Sequence, residues 1–209
     1  MPLYGYGEDS LTLCALTGRL SEFLDLLDDA SDRETAIVLY RPSFGRSAKS
    51  SPFGEFDAIV GTPKAVYLVE AKWSRSGEAW ESQMNLRSEQ LRRHRIFRWY
   101  LERWRAAPVS DWAVFMDAAA REQFGGTFEG KALAPSGSIL AQSLEYTMTL
   151  LAACGAVEDV LLYCDIDGRP CPPNVEGFCF TQVYMRFLDA TPSGFFPMDI
   201  DGRLRSPAI

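Results

Sequence analysis

Three side chains that could carry out metal-dependent chemistry lie close together in the sequence. Asp57 lies in a predicted strand over residues 55–60, and Glu70 and Lys72 lie near the end of a predicted strand over residues 65–73. Successive side chains of a strand point to opposite faces of a sheet, so Glu70 and Lys72 share one face. Carboxylates beside a lysine can together hold a hard cation and activate a water molecule.

The two predicted strands are separated only by the turn 61–64, so they form an antiparallel hairpin. If Val60 pairs with Ala65 across this turn, Asp57 lies one diagonal step from Glu70. Two ionised carboxylates at that separation repel each other, and one would stay protonated without a cation between them. Oxygen ligands with no His or Cys nearby favour Mg²⁺ or Mn²⁺ over zinc. The hairpin therefore predicts a site for one of these two ions.

The strand over residues 65–73 is apolar on both faces until Glu70, which predicts burial on both sides. Placing a carboxylate and an ammonium group there is costly unless they pair or meet a ligand. A structural interpretation stays open. Glu70 and Lys72 could form an ion pair at a strand end, and Asp57 could be a surface acid beside a turn.

A long helix is predicted after the hairpin, from about residue 78 to residue 105. On a helical wheel, Gln90 lies in the middle of an apolar stripe that consists of Leu86, Phe97, Leu101 and Trp104. An amide in such a stripe needs a hydrogen-bonding partner, so Gln90 is a candidate site residue. A core amide that caps a loop would have the same pattern.

The other elements place the hairpin in an α+β fold. Leucines at helical spacing predict a first helix that begins near Glu8 and breaks at Gly18. Further strands are predicted at 36–40, 160–166 and 178–188, further helices at about 110–124 and 138–154, and loops at 41–54 and after residue 191. This order predicts a mixed central sheet flanked by helices, in a single domain over residues 1–209.

The net charge of −7 is unevenly distributed along the chain. Residues 86–105 contain seven arginines and only two glutamates, although the protein as a whole is acidic. A local cationic strip is compatible with a polyanionic partner such as nucleic acid. The candidate nucleic-acid contacts are Arg41, Arg46 and Lys49 in a predicted loop, and Arg87, Arg98 and Arg105 on one flank of the long helix. The default alternative is a solvated helix face with ion pairs along it.

Other classes of protein fit the composition less well. The longest run without a polar residue, 150–157, is too short to cross a bilayer, and no signal peptide is visible. Five cysteines without a CxxC pair favour reduced thiols and a cytoplasmic location. Their spacing is wider than that of a tight iron–sulfur motif, so no cluster is expected. The single histidine, His94, excludes a histidine-rich zinc site and is expected to pack in the core.

The segment FGEFDAIVGTPKAVYLVEAKW, followed by EQLRRH, resembles the PD-(D/E)XK nuclease superfamily, whose core is restriction-endonuclease-like. That family places an acidic residue on a first helix, an Asp at one strand and Glu-x-Lys at the end of the next strand. Its exonuclease-like branches add a Gln-Leu pair on the following helix. The resemblance covers residues 8–105, and Phe56 stands where the name of the motif has Pro.

The resemblance implies a set of metal ligands. Asp57 and Glu70, together with the backbone carbonyl of Ala71, would hold one or two Mg²⁺ ions, with Mn²⁺ as the alternative. Glu8 would join them directly or through water, and Glu22 is the second choice for this first-helix acid.

The resemblance also implies a reaction, which is the hydrolysis of phosphodiester bonds with DNA as the expected substrate. Lys72 would orient or deprotonate the attacking water, and Gln90 would contact the substrate or orient a ligand water. One alternative is a catalytically inactive module of the same fold that binds nucleic acid or a protein in defence or repair. Another is an unrelated α/β protein with an incidental ion pair. No membrane partner is expected, and a homodimer or a protein partner that supplies specificity is compatible with each interpretation.

Overall fold

The computed structural model describes residues 3–44, 54–77, 83–84, 86–106, 111–121, 134–173, 180–188 and 190–198. The elements in these ranges are β1 (Leu3–Tyr6), α1 (Gly7–Leu16), α2 (Leu20–Asp25), β2 (Ile37–Tyr40), β3 (Ala58–Gly61), β4 (Ala65–Trp73), α3 (Ser88–Ala106), α4 (Trp112–Arg121), α5 (Ile139–Leu151), β5 (Ala156–Asp165), β6 (Thr181–Arg186) and β7 (Phe195–Met198). None of the helices described is both long enough and apolar enough to span a membrane.

A five-stranded mixed sheet in the order β2-β3-β4-β5-β6 forms the centre of the fold and is flanked by helices, as predicted. Strands β2 and β3 are antiparallel, and β5 and β6 are parallel. Strand β4 runs in the same direction as β5. The Gly155 N–H donates to the Thr62 carbonyl beside their first residues, and the Ser74 N–H donates to the Cys164 carbonyl beside their last residues. The carboxyl ends of β4, β5 and β6 therefore lie at one edge of the sheet.

The turn between β3 and β4 is tighter than predicted. The Thr62 N–H donates to the Ala65 carbonyl at 2.8 Å, and the Thr62 hydroxyl accepts from the Ala65 N–H at 3.0 Å. The predicted pairing of Val60 with Ala65 is therefore wrong by two residues. A shift of two residues leaves every side chain on the face that was predicted for it.

Strand β3 begins at Ala58, later than the predicted start at residue 55. Residue 55 forms only an isolated bridge with residue 43 and is not part of the strand. Asp57 accordingly lies in a bend directly before the strand and not within it. Strand β4 matches its prediction at both ends, and eight of its nine residues are buried.

A second, two-stranded sheet pairs β1 with β7 in antiparallel register, so that Tyr6 lies opposite Phe195. The sequence did not predict either strand. The tail after residue 191 was expected to be a loop because of its Pro and Gly content, and Pro197 lies within β7 itself. An edge strand tolerates a proline because that N–H is not needed for pairing.

The chain divides into two compact units that interleave along the sequence. Unit 1 comprises Met1–Thr35, Val69–Asn85 and Val160–Ile209, and unit 2 comprises Ala36–Leu68 and Leu86–Asp159. Strands β4 and β5 each contribute residues to both units. That the 209 residues form a single domain stays a prediction.

The core of unit 2 contains an aromatic cluster between α3 and α4. Trp112 lies at the centre of this cluster, with its ring centroid 4.9 Å from that of Phe115 and 5.6 Å from that of Tyr100. The indole N–H of Trp112 donates to the Ala134 carbonyl at 2.8 Å, which satisfies its polar atom. Trp104 stacks on the same indole. Both tryptophans of this cluster, Trp104 and Trp112, are buried in the core.

The helix α3 begins at Ser88, about ten residues later than predicted. Residues 78–82 and 85 lie outside the described part of the chain, and residues 83, 84, 86 and 87 are not helical. The apolar stripe was predicted correctly, because Leu86, Phe97, Leu101 and Trp104 are all buried.

Ser138 provides a test of the local stabilisation of unit 2. Its side chain accepts a hydrogen bond from the Ala141 N–H and so caps the N-terminus of α5. We expect Ser138→Ala to lower the free energy of unfolding by about 1 kcal/mol, because the N–H loses its partner. Ser138→Asp keeps an acceptor at this position and should leave the stability close to wild type. Denaturant unfolding of the three proteins measures the difference, and equal stability of the Ala variant would contradict the capping role.

Candidate active site

Glu70 and Lys72 are charged residues within the buried strand β4. Glu70 has no exposed surface and Lys72 is 8% exposed. They lie two residues apart on a regular strand, so they share a face as predicted. Both side chains interact with other groups of the fold. Because buried charge is tolerated only where other groups compensate it, both groups are held in defined surroundings.

The end of β4 is fixed to the end of β5 through Ser74. The fully buried Ser74 hydroxyl accepts from the Ile166 N–H at 3.1 Å and donates to a carboxylate oxygen of Asp167, also at 3.1 Å. These bonds add to the backbone bond from Ser74 to Cys164. Lys72 therefore lies two residues from a rigid anchor, which limits the movement of its backbone.

Arg75 extends this anchor. Its Nε donates to Asp167 Oδ2 at 3.0 Å and its Nη2 donates to Oδ1 at 2.7 Å, which is a two-point interaction of a guanidinium with a carboxylate. The hydrogen bond from Arg75 holds the pKa of Asp167 below its usual value. Arg75 Nη2 also donates to the Pro192 carbonyl, so one side chain connects the ends of β4 and β5 to the segment that precedes β7.

A buried acid that the sequence analysis missed lies at the same edge of the sheet. Asp165, the last residue of β5, has no exposed surface and accepts from the Tyr184 hydroxyl at 2.5 Å. Its other oxygen accepts from the N–H groups of Asp167 and Arg169. Burial alone would raise the pKa of Asp165, but these hydrogen bonds outweigh it and lower the pKa. The sequence Asp-x-Asp-Gly that begins at Asp165, directly after an apolar run, is a pattern that predicts such a turn.

The two candidates for the first-helix acid differ in their surroundings. Glu8 lies in the first turn of α1, where a negative charge is favoured by the helix dipole. Glu22 is bound by Arg19 through two hydrogen bonds of 2.8 and 2.5 Å on the surface. Which of the two acids is the first-helix acid of the site stays a prediction.

Asp57 belongs to unit 2, whereas Glu70, Ala71, Lys72 and Glu8 belong to unit 1. The backbone carbonyl of Asp57 accepts from the Arg41 N–H at 3.0 Å, which fixes the backbone before β3. The sharing of one metal ion by Asp57 and Glu70 stays a prediction.

Within the described ranges, no group of three or more His, Cys, Asp or Glu side chains is placed to hold a metal ion. A site of three acids made by Glu8, Asp57 and Glu70 is therefore not part of the structure described. Mg²⁺ commonly binds through one or two carboxylates and keeps several water molecules, so the two acids Asp57 and Glu70 are a sufficient donor set by their chemistry. Four cysteines, Cys14, Cys154, Cys164 and Cys171, are free thiols, and Cys179 lies outside the described residues.

Gln90 has a structural role at the start of α3. Its side-chain oxygen accepts from the Arg87 N–H at 2.9 Å. Arg87 directly precedes the helix and Gln90 is its third residue, which is the reciprocal half of a capping box. Gln90 therefore caps its own helix from a half-buried position, whereas the alternative that the sequence left open was a core amide that caps a loop. A contact of Gln90 with substrate stays a prediction.

Two of the predicted nucleic-acid contacts are arginines that bind the fold itself. Arg105 donates to the carbonyls of Gly155, Leu151 and Cys154 at 2.8–3.0 Å, and so caps the C-terminus of α5. Arg98 donates to the Val157 carbonyl and to the Asp159 carboxylate. Fewer of their N–H groups are therefore left for phosphate.

The other predicted cationic contacts have different surroundings. Arg87 is exposed at the start of α3. Arg41 pairs with Glu55. Arg46 and Lys49 lie outside the described residues.

His94 is buried, as expected, and forms a polar pair. Its Nδ1 lies 2.8 Å from Asp159 Oδ1, while Arg98 Nη2 lies 2.7 Å from Oδ2 of the same carboxylate. Burial would raise the pKa of Asp159, but the hydrogen bond and charge of His94, together with Arg98, lower it below its usual value. The ring of His94 also packs on Phe56 at 5.1 Å between centroids.

Comparison of the chain with protein-family models, with curated proteins and with solved structures gives no match in any of the three. A function for this chain therefore has to be argued from its own residues.

The capping role of Gln90 can be separated from a role in catalysis. We expect Gln90→Ala to lower the free energy of unfolding by about 0.3–1.5 kcal/mol, because the Arg87 N–H loses its acceptor. Gln90→Glu keeps an acceptor and should unfold like the wild type. Denaturant unfolding gives both values. A Gln90→Ala protein of unchanged stability would show that the amide is not needed as a cap.

Asp159 predicts a pH dependence of stability. Its pKa is lowered in the folded state, so its contribution is complete above the unfolded-state value of about 3.9 and is lost as the pH falls through the folded-state value. At neutral pH, Asp159→Asn should cost about 1–3 kcal/mol, because His94 and Arg98 lose a charged acceptor. The difference from wild type should shrink below about pH 4.

Thermal unfolding at several pH values measures the effect of the Asp159 substitution. The exposed Asp117→Asn on α4 is the matched control. If the Tm of Asp159→Asn differs from that of the wild type by the same amount at neutral and at acidic pH, the charge of Asp159 does not contribute to stability.

Proposed function

We propose that this chain is a metal-dependent nuclease that hydrolyses phosphodiester bonds, with DNA as its expected substrate. The observation that carries the proposal is the burial of Glu70 and Lys72 on one face of β4. The order of elements supports it, because Glu8 on a first helix, Asp57 before β3, the Glu-Ala-Lys of β4 and Gln90 on α3 follow the order of the PD-(D/E)XK nucleases. A restriction-endonuclease-like core is part of the proposal.

In this proposal Asp57 and Glu70, with the carbonyl of Ala71, would hold Mg²⁺ or Mn²⁺, and Glu8 would join them through a water molecule. The bound cation supplies Lewis acidity and lowers the pKa of a water molecule. The absence of exposed surface at Glu70 is compatible with this role, since a carboxylate shielded from bulk water interacts more strongly with a cation.

Lys72 orients the attacking water and stabilises the charge that develops on the scissile phosphate. A fixed ammonium group in surroundings of low dielectric contributes more to this stabilisation than a mobile surface lysine. The position of Lys72 two residues before the anchored Ser74 supports such preorganisation.

A catalytically inactive module of the same fold, which binds nucleic acid or a protein partner in defence or repair, is the second candidate function. The contacts of Gln90, Arg98 and Arg105 within the fold favour it, because they give structural roles to residues that were expected to meet substrate. A cytoplasmic location, a homodimer and a partner that supplies specificity remain proposals under both functions.

Replacing Lys72 separates the two candidate functions. We expect the wild type to cut DNA with Mg²⁺ or Mn²⁺, and Lys72→Ala to reduce the rate by roughly two to four orders of magnitude, because the positioned proton-transfer or electrostatic group is lost. Lys64→Ala, in the exposed turn before β4, is the matched control and should keep full activity. A gel-based cleavage assay in Mg²⁺ and in EDTA measures the rates.

Glu70→Gln, which preserves the shape of the side chain, gives an independent check of the same site. It should lose activity and keep a cooperative thermal transition. A wild-type protein that cuts neither DNA nor RNA with either ion, while it remains folded, would reject the nuclease in favour of the binding module.

A further inference from the structure

Tyr163 is a fully buried residue of β5, and its hydroxyl has no hydrogen-bonding partner among the residues that the structure describes. A buried hydroxyl of this kind costs free energy of folding, because it has lost the hydrogen bonds that it makes with water in the unfolded chain. Native structures contain few such groups, and each one calls for an explanation in a bound water, an ion or a function. The hydroxyl of Tyr163 is therefore a candidate for contact with a ligand.

The register of the central sheet places Tyr163 directly opposite Lys72. The Ser74 N–H donates to the Cys164 carbonyl, and in a parallel pair this bond sets residue 72 of β4 against residue 163 of β5. Tyr184 of β6 lies opposite Tyr163 in turn. Residues opposite each other on neighbouring strands point to the same face of a sheet. Lys72, Tyr163 and Tyr184 therefore form a row across three parallel strands of unit 1, near the carboxyl ends where ligands of such sheets commonly bind.

Contacts within unit 1 hold the Tyr163 ring in place. It stacks on the Tyr184 ring, with 6.0 Å between the centroids and 17° between the planes. The Tyr184 hydroxyl donates to one oxygen of the buried Asp165, and the other oxygen accepts from two backbone N–H groups. Both oxygens of this carboxylate are therefore occupied by donors other than Tyr163. The charge of Asp165 is further compensated by Arg186, whose Nε lies 3.6 Å from it, so the carboxylate does not exclude an anion from this face.

The protonation state of Tyr163 makes it a donor. Burial, with smaller contributions from Cys171 and Asp165, raises the pKa of Tyr163 to about 12, so the phenol keeps its proton at neutral pH. A protonated phenol donates one hydrogen bond, and such a bond is strongest when the acceptor is charged. The Lys72 ammonium group lies on the same face of the sheet and also favours an anion. A phosphate oxygen, which is charged and accepts from several donors at once, fits this pair of side chains.

We propose that the Tyr163 hydroxyl donates a hydrogen bond to a non-bridging oxygen of the phosphate on which Lys72 acts. The proposal rests on the proposed function and adds to it a catalytic residue from β5, which the sequence analysis did not single out. Negative charge builds up on that oxygen in the transition state, so the hydrogen bond is stronger there than with the bound substrate. The hydroxyl therefore increases the rate of hydrolysis more than it increases affinity for the strand.

Steady-state cleavage kinetics of the full chain test this role. Tyr163→Phe removes the hydroxyl and keeps the ring, and we expect kcat for DNA cleavage with Mg²⁺ or Mn²⁺ to fall roughly ten- to hundredfold with little change in KM. Tyr100→Phe removes a buried hydroxyl from the aromatic cluster of unit 2, and as the matched control it should keep the wild-type kcat. An active wild type together with an unchanged kcat for Tyr163→Phe would overturn the proposal and leave the nuclease intact.

Denaturant unfolding without metal gives a measurement that does not depend on activity. The Tyr163 hydroxyl has no partner in the described part of the chain, so Tyr163→Phe should unfold at the same denaturant concentration as the wild type or at a higher one. Tyr184→Phe removes the donor to the buried Asp165 and should unfold at a lower concentration. A Tyr163→Phe protein that is clearly less stable than the wild type would show that the fold itself uses the hydroxyl, as through a bound water, and would overturn the proposal.

Inorganic phosphate separates this proposal from the nuclease. Thermal unfolding in Mg²⁺ with and without phosphate should show a gain in Tm that is smaller for Tyr163→Phe than for the wild type and Tyr100→Phe, because a ligand stabilises the protein that binds it more tightly. General effects of phosphate on stability are the same for all three proteins. A gain that depends on Tyr163, in a wild type that cuts neither DNA nor RNA, would support the contact with phosphate and reject the nuclease. Equal gains in all three proteins without any cleavage would overturn both.

Discussion

The main physical constraint on this structure is that a carboxylate is buried in the middle of the sheet. Glu70 has no exposed surface, and Lys72 follows it on the same face of β4. Groups of this kind are tolerated only in surroundings that do not relax, since a displaced partner would leave a charge without compensation. The strand that carries them is accordingly anchored to β5 at both ends. At the first end, Gly155 approaches so closely that a Cβ there would lie 1.7 Å from the Lys64 carbonyl. At the other end, Ser74 binds both backbone and side chains beyond β5.

Arginine is used repeatedly to complete such anchors. Arg105 satisfies the last carbonyls of α5, Arg75 connects two strand ends to a loop, and Arg98 shares Asp159 with the buried His94. The planar guanidinium has several donors in fixed directions, so it can hold two or three acceptors in a defined arrangement, whereas the three donors of a lysine ammonium rotate at the end of a flexible side chain. The local excess of arginine in residues 86–105 is therefore partly an architectural feature, and counting charges along the sequence overstates the cationic surface.

The sequence predicted those features that depend on local patterns. Alternation and apolar runs located the hairpin, both ends of β4, and the shared face of Glu70 and Lys72. Apolar residues at helical spacing predicted α4 and α5 and placed their starts within two residues of Trp112 and Ile139. These signals are visible because the interacting groups lie within four residues of each other.

What the sequence did not predict depends on partners that are distant along the chain or on single hydrogen bonds. The pairing of Tyr6 with Phe195 joins opposite ends of the chain, and each strand alone is too short and too rich in Gly or Pro to be recognised. The start of α3 was placed about ten residues too early, because the cap at its start depends on one hydrogen bond from the Arg87 N–H to Gln90 and leaves no periodic pattern in the sequence. The wheel placed Gln90 in the middle of the apolar stripe, whereas the structure leaves it half-buried, with its side-chain oxygen turned back to the Arg87 N–H.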